Sequence, residues 1–426
     1  MTRILSRWAV VILFSAACLI RAQYDLLLKG GRVIDPKNKI DALADLAVQD
    51  GKVAAVAPAL DPAGAKKTID ARGLSITPGL VDLHTHLFAT TGIRDAWAGD
   101  QSVLPDGFSF RTGVTTMVDA GSSGWRNFET FRHTVIDRAK TRVLALINIA
   151  GLGMITDLTE QEKSEFRPAE IVRLAARHKD VVVGIKSAHY QQPDWASVDQ
   201  AVEAGKLAGI PVMVDFGYFL PQRPYWRLVT ERLRPGDIST HMFRGPVPYV
   251  DEHGKLFDYL RQARARGVKF DVGHGGGSFV FRNASPAAQQ GFYPDSISTD
   301  LHVGSMNGAM IDMPTTMSKF LALGLPLAEV ILRSTWNPAQ IIQRPELGHL
   351  TVGAPADVAV WSLLQGNFGF ADASGGQISA KQRLFCELTL KAGQISWDWN
   401  ARAAEDYRAL GPTYGIRPGI DHILKP

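Results

Sequence analysis

The sequence is poor in cysteine, and this shortage limits what the chain can be. Of the two cysteines among 426 residues, Cys18 lies in an apolar run near the amino terminus and Cys386 stands far from it. If that run is removed, one thiol remains, so an internal disulfide and a thiolate metal cluster are both excluded. The sequence also lacks a repeat of solenoid period and a low-complexity tract, which argues against repeat architectures and disordered linkers.

The amino-terminal apolar run, residues 8–20, is too short for a membrane span of about 20 residues. It follows Arg3 and Arg7 and leads to a small residue, Ala22. This pattern is typical of a secretory signal, so we predict that residues 1–22 are a cleaved signal peptide. The mature chain is then expected to be secreted or periplasmic, with no membrane attachment. An uncleaved anchor and a lipid attached at Cys18 are the alternatives.

The chain also has little excess charge. The formal net charge is +4, and the predicted signal carries Arg3, Arg7 and Arg21 but no acidic residue, so its removal lowers the net charge by three to +1. Such a balance gives no reason to expect a nucleic-acid partner, and we expect a small-molecule substrate. A glycine-rich phosphate loop is also missing after the first buried segment, which disfavours a nucleotide-binding open sheet.

Two kinds of pattern are present. Short β segments separated by turns fill residues 24–77, including Asp50-Gly51, a strong hairpin signal, and similar segments recur at 356–362 and 384–396. We therefore predict a small β-sandwich domain built from both chain ends, residues 23–78 and 345–426, the latter including a C-terminal tail.

Between these ends, short apolar segments alternate with amphipathic helices, which are expected at 168–176, 195–208, 256–265 and 327–333. The predicted strands are 79–83, 115–119, 143–147, 181–185, 211–214, 237–240, 270–272 and 296–299. Eight buried strands with helices between them predict a fold of the α/β class, a (β/α)8 TIM barrel, over residues 79–344. Active sites of such barrels lie at the carboxyl ends of the strands.

Polar residues follow the predicted strands at these ends. His84 and His86 close the first strand, and residues two apart in a strand face the same way, so both imidazoles suit a divalent metal such as zinc. Lys186 follows a mostly apolar strand, where a buried ammonium is costly without a partner. Either its side chain reaches solvent, or carbon dioxide converts its amine to a carbamate that bridges two metal ions.

Three further strands end in Asp215, His241 and Asp300. A lone aspartate in such a place is as often a helix cap as a catalyst. Because six polar residues share five strand ends, a functional centre is the better interpretation. His274, among four glycines after the seventh strand, is a candidate for substrate binding, since glycines let a ligand approach the backbone.

Several short phrases, considered together, resemble one known group of enzymes. They are Ile76-Thr77-Pro78-Gly79, Val81-Asp82-Leu83-His84-Thr85-His86, Gly184-Ile185-Lys186, Gly236-Asp237-Ile238-Ser239-Thr240-His241, Asp271-Val272-Gly273-His274-Gly275, Ser298-Thr299-Asp300-Leu301-His302, Asn337-Pro338-Ala339, Gly348-His349-Leu350 and Gly353-Ala354-Pro355-Ala356-Asp357. The chain is similar to the amidohydrolase superfamily, and within it to the amidohydrolase/deacetylase metallohydrolases, relatives of dihydroorotases and N-acyl-amino-acid deacylases. The resemblance spans about residues 24–397.

The resemblance implies a centre of two divalent metal ions, with zinc as the expected metal. The implied ligands are His84, His86 and Asp300 for the more buried ion, His241 and Asp215 for the outer ion, and carboxylated Lys186 between them. Relatives usually carry histidine where this chain has Asp215, so occupancy of the outer position is the open question. A metal-activated hydroxide would attack the substrate, with Asp300 as general acid and base.

The expected activity is hydrolysis of an N-acyl or O-acyl bond in a small molecule, as in a deacetylase. A cyclic amidase of the dihydroorotase or hydantoinase type is the alternative among enzymes, because fold does not decide the substrate. A secreted, non-catalytic metal-binding or scaffold protein is the alternative of another class, and Asp215 is its only support. The sequence does not decide between a monomer and a homo-oligomer.

Overall fold

A computed structural model describes residues 23–417 and 419–420 of the chain. The predicted signal peptide, residues 1–22 with Cys18, lies outside the described residues, as does the end of the tail. Among the helices that are described, none is long and apolar enough to cross a lipid bilayer.

The described part contains strands at seven of the eight predicted barrel segments and helices at the four predicted helical segments. The strands are β1 (Leu26–Asp35), β2 (Ile40–Gln49), β3 (Lys52–Ala57), β4 (Thr68–Asp70), β5 (Ser75–Pro78), β6 (Leu80–Thr85), β7 (Val114–Gly124), β8 (Arg142–Asn148), β9 (Val182–Ser187), β10 (Val212–Val214), β11 (Ile238–Ser239), β12 (Lys269–Phe270), β13 (Val358–Ala371), β14 (Gln377–Lys391) and β15 (Gln394–Asp398). The α-helices are α1 (Phe128–Phe131), α2 (Pro168–Arg177), α3 (Ala196–Ala208), α4 (Tyr225–Arg227), α5 (Asp258–Ala265), α6 (Phe281–Gln289), α7 (Val303–Met306), α8 (Met313–Ala322), α9 (Leu327–Ser334) and α10 (Trp336–Ile341).

Strands from both chain ends form one mixed sheet in the order β15-β14-β13-β5-β1-β2-β3, with β4 paired to β1. The turn between β2 and β3 is the predicted hairpin: Asp50 and Gly51 both have positive φ, 50° and 73°, as a two-residue hairpin turn requires. The predicted β structure from both ends is thus present. Its strands share one hydrogen-bonded sheet instead of the two sheets of a sandwich.

The middle of the chain forms a curled parallel sheet in which β6 to β12 lie side by side in sequence order. Every residue of β6, β7, β9 and β10 is buried. Strands of a parallel sheet that is covered on both faces are expected to be apolar throughout, which explains the near-continuous apolar runs in the sequence. Leu83, Leu146 and Met213 of this sheet pack in one cluster with Ile341 of α10.

The eighth predicted strand, 296–299, is not a regular strand, but its segment contacts both edges of the parallel sheet. The amide of Val272, after β12, donates to the carbonyl of Ser296 over 3.1 Å, and the amide of His86, after β6, donates to the carbonyl of Leu301 over 2.9 Å. Both contacts form parallel bridges, at Asp271–Ser296 and Thr85–Leu301. The segment therefore carries Asp300 to a position between the first and last strands of the sheet.

The mixed sheet packs against the amino end of the parallel sheet through polar and aromatic contacts. Asp357, just before β13, accepts hydrogen bonds from Arg142 at the start of β8 and from Lys391 at the end of β14. Trp361 of β13 is fully buried and donates from Nε1 to the Thr77 hydroxyl over 2.9 Å. The other end of the β13–β14 hairpin contacts the segment that follows β12, where the amides of Phe281 and Ala373 donate to Asp372 and to the Phe279 carbonyl, each over 2.9 Å.

Candidate metal centre

The side chains of His84, His86 and Asp300 converge at the carboxyl end of the parallel sheet. The two histidines come from the end of β6, and Asp300 comes from the segment that follows β12. Oδ1 of Asp300 lies 3.1 Å from Nε2 of His86 and 3.5 Å from Nε2 of His84. All three side chains are buried, and their ligand atoms lie within 4.8 Å of one another. Atoms about 2 Å from a tetrahedral zinc ion lie about 3.3 Å apart, so this donor set fits one metal ion.

Hydrogen bonds on the far side of each imidazole leave Nε2 facing the centre. The Thr240 hydroxyl donates to Oδ2 of Asp271 over 2.8 Å, so its oxygen accepts from Nδ1 of His84, which lies 2.9 Å away. Nδ1 of His86 lies 3.0 Å from the hydroxyl oxygen of Ser122. Such bonds fix the ring orientation and leave the lone pair of Nε2 for a metal.

The protonation states also suit metal binding. Burial lowers the pKa of His86 to about 4, despite the opposing effect of Asp300. Burial, together with Lys186, holds the pKa of His84 well below its ordinary value. Both imidazoles are therefore neutral near pH 7, the form in which histidine binds metals.

Lys186 of β9 lies at the middle of the cluster and is fully buried. Its Nζ is 3.0 Å from Nε2 of His84 and 3.7 Å from the sulfur of Met213. Burial lowers the pKa of this amine, although Asp215 and Asp300 oppose the shift. The lysine predicted from sequence thus lies beside the candidate metal ligands, away from solvent.

A second group surrounds Asp215, directly after β10. Its Oδ2 lies 3.0 Å from Nε2 of His241, and its Oδ1 accepts a hydrogen bond from Nη1 of Arg244 over 3.0 Å. Nδ1 of His241 donates to the carbonyl of Gly273 over 2.6 Å, which directs Nε2 of His241 toward Asp215. His241 and Asp215 therefore present one nitrogen and one oxygen donor side by side, next to His84, whose ring centre is 5.0 Å from that of His241.

His189 and Glu160 extend this second group toward the mouth of the site. Nε2 of His189 lies 3.4 Å from Oδ2 of Asp215, and its Nδ1 lies 2.8 Å from Oε2 of Glu160. His189 has a positive φ of 51°, a conformation that is uncommon for histidine. Asp157, Glu160 and His189 also form a second set of candidate metal-binding atoms.

His274 lies at the end of the seventh strand, but its side chain is directed elsewhere. It is fully buried, its Nε2 lies 2.6 Å from Nζ of Lys319, and its ring stacks on Phe279 with centres 4.8 Å apart. These contacts do not include the histidines and aspartates described above. Substrate binding by His274 stays a prediction, and the structure brings together the other six predicted residues.

Trp97 is a further candidate that sequence reasoning missed. Its ring centre lies 4.7 Å from that of His86 and 4.4 Å from that of His302. Trp97 lies in the long loop after β6, eleven residues beyond His86, and no local pattern marks it. The indole therefore covers one side of the cluster.

Sequence reasoning also missed two buried carboxylates behind the histidines, Asp82 and Asp119. The position of Asp82, two residues before His84, could have indicated it. Asp82 precedes His84 by two residues on the same side of β6 and accepts a hydrogen bond from the Thr299 amide over 3.0 Å. Burial raises the pKa of Asp82 to about 7 and that of Asp119 to about 6. Oδ1 of Asp119 accepts from the Ser122 amide over 2.8 Å, so this carboxylate holds the serine that contacts His86.

Comparisons with known proteins indicate the family to which the chain belongs. Residues 280–392 match the model of the Amidohydrolase family. A protein of Brucella anthropi named deacetylase is 35% identical over 356 residues, which cover 81% of this chain and 85% of that protein. The crystal structure of an adenine deaminase matches with a TM-score of 0.80 and 29% identity, covering 88% of this chain and 100% of that one. The crystal structure of a dihydroorotase matches with a TM-score of 0.75 and 30% identity, covering 87% and 98%.

Ser122 and its neighbour Ser123 give a matched test of the metal centre. With a metal on Nε2, His86 donates its Nδ1 proton to the Ser122 hydroxyl, whereas the buried Ser123 hydroxyl has no hydrogen-bond partner among the described residues. Loss of such a partner typically weakens metal binding about 10- to 100-fold. We expect Ser122→Ala to weaken zinc binding by at least about tenfold, measured by competition with a chelator, and Ser123→Ala to leave it unchanged. Equal affinities for the two variants would contradict this role of Ser122.

Proposed function

Because the chain belongs to the amidohydrolase family, whose members are metal-dependent hydrolases of carbon–nitrogen bonds, we propose that it removes the acyl group from a small N-acylated or O-acylated molecule. The resemblance to this family and the expected enzyme class are thus confirmed. The observation that supports the centre is the convergence of His84, His86 and Asp300 on one buried point. The similarity to a protein named deacetylase over most of both chains favours acyl-group removal.

We propose that the parallel sheet is a closed eight-stranded barrel. Support comes from segment 296–301, which makes backbone hydrogen bonds to the first and last strands of the sheet. Closure places Asp300 at the carboxyl end of the eighth strand, across from Lys186 on the fourth. Export through residues 1–22 stays a prediction from sequence.

The proposed ligands of one ion are His84, His86 and Asp300. Those of a second ion are His241 and Asp215. The ions, when bound, acidify water and polarise the acyl carbonyl of the substrate. Oxygen and imidazole donors suit zinc, which is the metal we propose. The described donors contain no thiolate, since Cys386 is buried elsewhere.

Asp300 carries the proton in the proposed reaction. Burial works against its charged form, but the facing His84 and His302 outweigh burial and hold its pKa well below the usual range. The ionised carboxylate takes a proton from the attacking water and delivers it to the leaving nitrogen or oxygen, so the products are a carboxylic acid and an amine or alcohol. A Cβ at Gly275 would lie 2.3 Å from Oδ2 of Asp300, so glycine at 275 leaves this oxygen its space.

Lys186 is proposed to be carboxylated, and its carbamate would help to hold the metal ions. Burial lowers its pKa, which favours the neutral amine, the form that reacts with carbon dioxide. The nitrogen attacks the carbon of carbon dioxide and gives up one proton, which passes to water, so an uncharged amine becomes an anion with two oxygens. The modification would replace a buried amine by a group whose two oxygens could bind metal ions.

A panel of substrates tests the proposed function directly. Zinc-loaded protein is assayed with N-acyl amino acids, O-acyl hydroxy acids, dihydroorotate, hydantoins and adenine, and metal content is measured on the same sample. We expect turnover of at least one acyl substrate and about two ions per chain. Ring opening without acyl cleavage would favour a cyclic amidase, and deamination without acyl cleavage would favour an adenine deaminase. Protein with neither metal nor turnover would indicate a scaffold.

Replacement of Asp300 tests the proton transfer. Asp300→Asn is expected to retain metal and to lower kcat by about 10²- to 10⁴-fold, since the amide cannot accept the proton. Asp199→Asn is the control, because Asp199 lies in α3 and pairs with Arg232 at an exposed position. Near-normal turnover by the Asp300 variant would exclude this residue as the base.

The chain offers a matched control for the carbamate, because Lys319 is also fully buried. With ¹³C-labelled bicarbonate, we expect a carbamate carbon resonance in the wild-type protein and in Lys319→Met, but none in Lys186→Met. The Lys186 variant is also expected to bind less metal. A resonance that disappears only in Lys319→Met would show that Lys319 is modified and would contradict the proposal for Lys186.

A further inference from the structure

Asp215 is chemically unlike the neutral histidine that it is inferred to replace. It is 7% exposed, so its negative charge must be compensated inside the protein. Oδ2 faces Nε2 of His241 at 3.0 Å and Nε2 of His189 at 3.4 Å, while Oδ1 accepts from Arg244. The two oxygens therefore have different partners.

Arg244 adds a permanent positive charge beside the two imidazoles that face this carboxylate. A guanidinium is positive at every pH of interest, so the pair of Asp215 and Arg244 has the same net charge as a neutral imidazole. His189 does not have this role alone, because its other nitrogen faces a carboxylate of its own, Glu160, at 2.8 Å. Of these three partners, Arg244 is the one that contacts Oδ1 and whose charge does not depend on protonation.

The backbone holds Arg244 in this place. His241 and Phe243 both have positive φ, 61° and 76°, which turns the chain sharply after β11. The Arg244 amide donates to the His241 carbonyl over 3.1 Å, and the Asn283 side chain donates to the Arg244 carbonyl over 2.8 Å. The turn that presents His241 therefore also returns Arg244 to the same site.

We propose that Asp215 and Arg244 form one charge-neutral unit that replaces a histidine at the outer metal position. Arg244 is a positioning residue in this unit: it holds Oδ1 and directs Oδ2 toward the donor nitrogen of His241. The inference rests on the proposed function, because it assigns ligands to the second ion of that centre. It implies that restoring histidine at position 215 alone harms the site, since the guanidinium then faces the ion without a countercharge.

The test compares D215H in two backgrounds. Affinity for the second zinc ion is measured by chelator competition for the wild-type protein, D215H, R244Q and D215H/R244Q, with thermal unfolding of each metal-free protein to show that it folds. We expect D215H to weaken the second ion at least about tenfold, as changes around metal ligands commonly do, and to have little effect when R244Q is also present. R282Q is the control, because Arg282 is exposed and lies near the same loop.

The possible results are distinct. If D215H has the same effect in both backgrounds, the two residues do not form a unit and the proposal is overturned. R244Q could instead raise KM for carboxylate-bearing substrates and leave the effect of D215H on zinc affinity unchanged. Arg244 would then bind substrate, and the proposal is also overturned. Folding of D215H/R244Q where D215H alone does not fold supports the unit. One ion per chain with acyl turnover overturns this inference only, whereas two ions without turnover on the panel overturns the proposed function only.

Discussion

Burial of the Lys186 amine is the constraint on which the centre depends. No solvent reaches this side chain, and its nearest polar neighbour is an imidazole 3.0 Å away, so an ordinary ammonium would be poorly compensated there. The same burial keeps His84 and His86 neutral and requires every nearby acid to find a partner. Asp300 faces the imidazoles, and Asp215 faces His241 and Arg244. The arrangement is one of mutual charge compensation, which two divalent ions and a carbamate would complete.

The parallel sheet makes this compensation possible because it supplies rigid backbone to each polar group. Residues at strand ends are held by ladder hydrogen bonds, and the hydroxyls of Thr240, Ser296 and Ser298 all donate to the buried Asp271. These bonds continue outward from the histidines, so the ligand positions are fixed before any ligand binds. The mixed sheet stabilises the scaffold from the amino end of the strands, and the turn between β13 and β14 contacts the segment that follows His274.

Local patterns in the sequence predicted the residues that belong to strands. His84, His86 and Lys186 could be predicted because each ends an apolar run, and the direction of a strand decides where its end lies. Trp97 and Glu160 could not, since they reach the site from long loops whose paths depend on tertiary contacts. The eighth strand was predicted as regular, but Ser296 and Ser298 use their hydroxyls on Asp271, and the segment keeps only isolated bridges to its neighbours.

Asp215 shows why a departure from a family pattern needs the structure for its interpretation. From sequence alone, aspartate in place of histidine was an argument for a weakened or lost second ion. In the folded chain the carboxylate has a guanidinium on Oδ1 and an imidazole on Oδ2. A carboxylate whose charge is balanced on one side still offers a donor oxygen on the other. The substitution is therefore better explained as an exchange of one neutral donor for a neutral pair than as the loss of a ligand.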